Sequence, residues 1–277
     1  PLLAKATKSV ATGVPGPRPR FYPLFAPTNR SVGLSGSDRL VITDPGENSP
    51  LDFTNGDAIT LEAWVQLNRI SGDQNIYIIG KGRTNNPGQK SDNQNWALRL
   101  TGREGTARVS FLFRNAENRS GMRNDFHRWT ATTGFAPGSA WRHVAVTYIF
   151  GKPDSLRGYL DGEPVAGTWD LGGKTTRPPV VDNDEVWIGS TLGGSPSTTM
   201  PGRIDEVAIY RTALAAARLA THFESTRPDP RLAEIPDAEL PADAVLVELL
   251  EGVPAKTSWN FPRTRPVERW RQPAAAW

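Results

Sequence analysis

The chain has 277 residues, 22% of them charged, with a formal net charge of +3 and no cysteine. The missing cysteine excludes disulfides, thiolate metal sites and cysteine nucleophiles, and a charge of +3 spread over this length is too weak a field to grip nucleic acid or anionic lipid. No apolar run approaches the roughly 18 residues of a membrane-spanning helix, so neither nucleic acid nor membrane insertion is expected.

Residues 1–27 hold Pro15, Pro17, Pro19, Pro23 and Pro27 with Gly13 and Gly16 among them. Proline fixes φ and lacks an N–H donor, so that density blocks helix and central strand, and the segment reads as a Pro-rich lead-in. The start at Pro1 in place of methionine reads as a piece of a longer polypeptide. Short strands follow at Val32–Leu34 and Arg39–Ile42 around the Ser35-Gly36-Ser37 turn. From Ile59 the alternation is clean: Ile59, Leu61, Ala63, Val65 and Leu67 share one face, and Thr60, Glu62, Trp64 and Gln66 the other. A period of two is the signature of a strand with a buried face.

Further strands are expected at 76–79, at 96–100 with Trp96, Leu98 and Leu100 on one side, and at 109–113 with Val109, Phe111 and Phe113 together. The polar, Gly-containing connections 82–95 and 115–126 are long enough to carry function. Four strand-sized phrases come next in fixed order: Trp141 to Tyr148, Gly158 to Gly162, Val186 to Gly189, and Gly202 to Tyr210. Asp161-Gly162 closes a hairpin, because both residues tolerate positive φ. Trp141, Tyr148, Trp187 and Tyr210 are expected to fill the space between two sheets.

The run 212–223 breaks this rhythm. Its Ala and Leu content, with Thr212 as N-cap, predicts a helix docking through Leu214, Ala217 or Arg218, and Thr221. Val245 to Leu250 looks like a strand that either opens a second unit or lies across the first as an extra edge. The expected organisation is therefore a lead-in over 1–27, one all-β antiparallel sandwich over 28–225 with a short helix near 212–224, and a linker over 226–277. Arg18 and Arg20, and Arg263, Arg265, Arg269 and Arg271 beside Trp259 and Trp270, read as solvated Pro-rich linker.

The series Leu51 to Thr54, Leu61 to Val65, Ala140 to Tyr148, Tyr159 to Gly162, Trp187 to Gly189, Gly202 to Val207 and Tyr210 to Leu214 resembles the laminin-G-like jelly rolls of the concanavalin A-like lectin/glucanase superfamily. The resemblance spans roughly residues 30 to 225. It implies two curved antiparallel sheets packed face to face, in a non-catalytic recognition or adhesion module of a larger exported bacterial protein. A glycan or extracellular protein ligand and neighbouring domains of the same polypeptide are then the partners, and the location is secreted, periplasmic or cell-surface. It also implies a structural Ca²⁺ held by Asp205 on the last motif strand, with Asp38 and the 35–37 turn as its partners. Oxygen-only ligation suits calcium.

For a sugar ligand the candidates are Trp129 with His127 and Arg128 in one loop, and Trp169 just after the hairpin. An indole outside the strands stacks on the apolar face of a sugar while polar neighbours fix its hydroxyls. A polysaccharide hydrolase or lyase is the alternative, and a structural spacer the third reading. Glycosidases need a carboxylate pair about 5–10 Å apart, and Asp182-Asn183-Asp184-Glu185, the acidic run, reads as a turn, so no catalytic residues are assigned. His143 reads as a structural strand histidine, His222 as helical, and no Gly-x-Ser-x-Gly elbow lies near either.

Overall fold

A computed structural model describes residues 2–7, 9–18, 22, 25–116, 125–224, 244–245 and 247–248. Its strands are β1 (Leu2–Ala6), β2 (Ala11–Pro15), β3 (Arg30–Leu34), β4 (Leu40–Ile42), β5 (Ala58–Leu67), β6 (Asn75–Gly82), β7 (Gln94–Arg103), β8 (Thr106–Arg114) and β9 (Phe126–Ala131). They continue as β10 (Arg142–Ile149), β11 (Arg157–Leu160), β12 (Glu163–Val165), β13 (Gly167–Leu171), β14 (Val186–Ile188), β15 (Gly202–Tyr210), β16 (Ala244–Val245) and β17 (Val247–Glu248), with one α-helix among the described residues, α1 (Ala216–Glu224). Two sheets result: a nine-stranded one in the order β13-β9-β8-β7-β6-β14-β4-β1-β17, and an eight-stranded one in the order β12-β11-β10-β5-β15-β3-β2, with β16 beside β15.

Period-two alternation builds the space between them. Ile59, Leu61, Ala63, Val65 and Leu67 of β5 share one hydrophobic core with Trp96, Leu98 and Leu100 of β7 and Val109, Phe111 and Phe113 of β8. Each such aliphatic or aromatic side chain stabilises the fold by roughly 1.5–3 kcal/mol through burial. The opposite face of β5 is also covered. Trp64 packs with Phe25 and Trp141, and Tyr210 packs with Tyr159, Leu214 and Leu219, where α1 lies against the outside of the eight-stranded sheet.

Three expectations need correction, and one open alternative is decided. The lead-in is not outside the sheets: β1 pairs with β4 and β2 with β3. Pro15 is the last residue of β2, an edge strand, where a missing N–H breaks no ladder. Among the four aromatics assigned to the space between sheets, only Tyr148 joins the central core. Trp141 and Tyr210 seal the outside of the eight-stranded sheet, and Trp187, paired with Gly80 and Val41, alternates with the core residues Val186 and Ile188. The helix begins four residues later than Thr212, whose carbonyl instead accepts from Thr60 Oγ1 at 2.6 Å. It docks through buried Leu219 and through Phe223, which stacks on Trp64 at 5.7 Å, whereas Ala217 is exposed. The expected strand at 245–250 appears as β16 against β15 and β17 against β1, so these pieces edge this domain. The arginines at 263–271 lie outside the described residues.

Candidate functional site

The register settles where the candidate sugar residues stand. Trp129 and Trp169, expected outside the strands, are cross-strand partners on β9 and β13. Successive residues of a strand alternate faces, so His127 and Trp129 point inward while Arg128 points outward. Trp129 is 5% exposed. Its indole fills the space that the missing Cβ atoms of Gly158 and Gly167 leave open. Trp169 is half-buried, edge-on to Phe113 at 6.2 Å and Tyr148 at 5.9 Å, and its Nε1–H donates to the Pro153 carbonyl at 3.3 Å.

His127, expected in a loop, is likewise buried. Its Nε2 pairs with Asn115 Nδ2 at 2.8 Å and its Nδ1 with the Gly173 carbonyl at 2.9 Å, and burial pushes its pKa down. An amide donor on Nε2 and a carbonyl on Nδ1 both fit a neutral ring. Only Arg128 reaches the outer face, where its guanidinium forks onto Asp170 at 2.7 and 3.0 Å. The four candidates thus belong to opposite sides of one sheet, Arg128 on the outer and the other three on the inner.

What the outer face of the nine-stranded sheet does carry is a straight cross-strand row: Tyr77, Arg99, Ser110, Thr130 and Thr168, paired in succession through β6, β7, β8, β9 and β13. Tyr77 Oη donates to Gln94 Oε1 at 3.1 Å and accepts from Arg83 at 3.2 Å. Arg99 lies 5.3 Å over the Tyr77 ring and donates to Ser110 Oγ at 3.3 Å. Thr130 Oγ1 reaches Asp170 at 3.2 Å. Beside the row, Trp187 is covered by the Arg39 guanidinium at 4.0 Å, and its Nε1–H donates to Glu185 at 2.8 Å. Tyr77, Arg99, Ser110 and Thr130 of the row are all buried, and Thr168, at the sheet edge, is exposed. Its sequence signal is Arg99 itself, a charge set between Leu98 and Leu100.

The two aspartates proposed for calcium sit in separate networks. Asp38 closes its own turn, accepting the Ser35 N–H at 3.0 Å, the Ser35 hydroxyl at 3.3 Å and the Ser9 hydroxyl. Asp205 accepts Asn29 Nδ2 at 2.8 Å and the Glu206 N–H at 3.0 Å. Burial pushes its carboxyl up to about 8, against the pull of those two donors. Asp205 follows the Ile204–Val32 pair, whereas Asp38 lies beyond Leu34, which puts at least three residue rows, roughly 10 Å, between them. Among the described residues no three His, Asp or Glu gather as a metal cluster. Of the two, Asp205 alone lies beside an N-terminal backbone oxygen, the Pro17 carbonyl, which shares Asn29 Nδ2 with it at 3.5 Å.

Two facing antiparallel sheets, with a helix after the last long strand and a polar, aromatic outer face, define a jelly-roll sandwich. The chain belongs to the concanavalin A-like lectin/glucanases superfamily, whose laminin G model matches residues 35–220. No curated protein matches it in sequence. Among solved structures it is similar to the binding domain of Paraclostridial mosquitocidal protein 1, with 16% identity and a TM-score of 0.55 over 81% of this chain and 47% of that one. It is also similar to a receptor binding domain, with 13% identity and a TM-score of 0.50 over 81% of this chain and 46% of that one. The chain spans about half the length of these two structures, and at such identity the likeness is one of fold.

Proposed function

We propose that this domain is a non-catalytic recognition module that holds a carbohydrate on the outer face of its nine-stranded sheet, within a larger exported polypeptide. The observation that carries the reading is the row from Tyr77 to Thr168: an aromatic ring, a guanidinium and three hydroxyls in register. A few fixed polar groups beside an aromatic face are what sugar recognition requires. A hydrolase would need two carboxylates free to act across the scissile bond. On this face Asp170 is committed to Arg128 and Glu185 to the Trp187 indole, which favours binding over turnover. The two domains of similar fold are a binding domain and a receptor binding domain, which supports a binding role. Among the described residues no helix is long and apolar enough to cross a membrane; an extracellular or cell-surface setting, with neighbouring domains as partners, belongs to the proposal.

A glycan array probed with the labelled domain tests it. Retention on at least one glycan is expected, falling about tenfold or more in Arg83→Ala and Thr130→Val, since each removes a polar group whose loss costs about 1–3 kcal/mol. Arg157→Ala, on the eight-stranded sheet, should bind as the parent does. No retention on any glycan, or equal loss in all three variants, contradicts the proposal.

Calcium enters only through Asp205. Burial favours the protonated form of this carboxyl, and a bound dication would displace that proton, because carboxylate ligands coordinate in their deprotonated form. Added Ca²⁺ is expected to raise the Tm of the parent domain and leave that of Asp205→Asn unchanged. An unchanged Tm in the parent removes calcium from the account.

A further inference from the structure

Arg99 stands second in the row, on a strand flanked on both sides, and it is 4% exposed. Its contacts are Tyr77, through the ring face and the phenol, and a 3.3 Å hydrogen bond to Ser110 Oγ. Its Nε–H is buried and has no acceptor. A guanidinium carries five N–H donors and cannot shed its charge in a protein, so a buried arginine ordinarily has a carboxylate against it. Burial pushes the guanidinium pKa down against the charge and hydrogen bond of the Tyr77 phenol, and Arg128 and Arg83 push the same way as burial. Asp170, the acid of this neighbourhood, spends both oxygens on Arg128 and one of them also on the Thr130 hydroxyl.

Resting on the glycan reading of this face, we infer that the ligand presents an anionic group, a carboxylate or a sulfate on an acidic sugar, to Arg99, with Ser110, Thr130 and the Tyr77 ring around it. An oxyanion is the chemical complement of a buried guanidinium whose donors are unspent, and a planar carboxylate accepts two of them at once. The exposed end of the row is Thr168 on the edge strand β13, where Arg103, 40% exposed at its side chain, adds a second positive group 3.8 Å from Asp170; an anion reaching Arg99 from there displaces the cover over Thr130 and Ser110. A neutral sugar would leave the central charge as it is, buried and unmatched.

Two measurements test this. In titration calorimetry the probes are a hexuronate oligosaccharide, its sulfated counterpart, and the carboxyl-reduced neutral form of the same chain. One of the two acidic probes is expected to bind at least tenfold more tightly than the neutral one, and Arg99→Gln is expected to abolish that preference. In thermal unfolding without ligand, Arg99→Gln is expected to leave Tm unchanged or raised, because it removes a buried charge that lacks a counter-ion. Equal affinity for acidic and neutral forms overturns the anion inference and leaves the glycan reading standing. No binding of any probe overturns the inference, and if the array also retains no glycan the broader reading falls with it. Should Arg99→Gln unfold, Ser110→Ala serves instead, with the same acidic preference expected to weaken, and its persistence undiminished would count against the site.

Discussion

Glu62→Ala is expected to destabilise the domain by about 3–5 kcal/mol, the range seen when one member of a buried charged network is removed. Glu62 lies on β5 beneath α1 and is the shared acceptor of a four-residue hub. Tyr210 Oη donates to it at 2.7 Å, His222 Nδ1 lies 3.0 Å from both carboxylate oxygens, and His143 Nε2 lies 3.2 Å away. These partners come from β10, β15 and the helix, so the carboxylate fastens α1 to the sheet. Truncation leaves the phenol and two imidazoles facing a hole.

Its pH dependence has a definite sign. Coulombic attraction to His222, with hydrogen bonds from both histidines, outweighs burial and holds Glu62 well below its ordinary value of 4.5. A depressed carboxylate binds fewer protons folded than unfolded, so its contribution is present above about 4.5 and is lost as pH falls toward its folded pKa. Chemical denaturation of the parent and of Glu62→Gln at pH 7 and below pH 4 checks this: the gap between them should narrow on acidification. A gap that widens would contradict the hub.

The second large effect is expected at Lys81. Its side chain is fully buried, and its ammonium bridges Asp44 at 2.6 Å and Asp52, which pins the β4–β5 connection to the end of β6. The same connection is held by Trp96 Nε1–H donating to the Leu51 carbonyl at 2.9 Å and by Arg211 donating to the Asp52 carbonyl at 2.6 Å. Lys81→Met preserves much of the volume and strands two acids, which should cost about 3–5 kcal/mol at neutral pH. Burial already raises Asp52, with Lys81 pulling the other way. Without the ammonium, burial and the neighbouring Asp44 act unopposed, so the deficit should grow as pH rises above about 4, where the unfolded carboxylates ionise. Adding Asp44→Asn to Lys81→Met should recover part of the loss, and a strictly additive double variant would deny the coupling.

How much of this is legible from residues alone varies with the strand. The β5 pattern is plain, because its inner positions are uniformly aliphatic and its period is two. β9 is not: Phe-His-Arg-Trp-Thr-Ala reads as a polar loop, since its outer positions are Arg128 and Thr130 and one of its inner positions is a histidine satisfied by Asn115 and Gly173. β2 is hidden by a proline rule that holds for central strands and not for an edge. The same difficulty governs the site. Trp129 and Trp169 attract notice as large aromatics among polar residues, yet tertiary packing over Gly158 and Gly167 takes one of them into the core. Tyr77, Arg99, Ser110 and Thr130 lie up to 53 positions apart, and cross-strand register alone makes them neighbours. Asp38 and Asp205, joined by the family resemblance, are parted by the same register.

Hydrogen exchange of the domain with and without its best-retained glycan tests the central claim most directly. Slowed exchange should centre on the segments that carry Tyr77, Arg99, Ser110 and Thr130, with α1 and β10 to β12 unchanged. Slowed exchange confined to α1 and the eight-stranded sheet would contradict a ligand site on the opposite face.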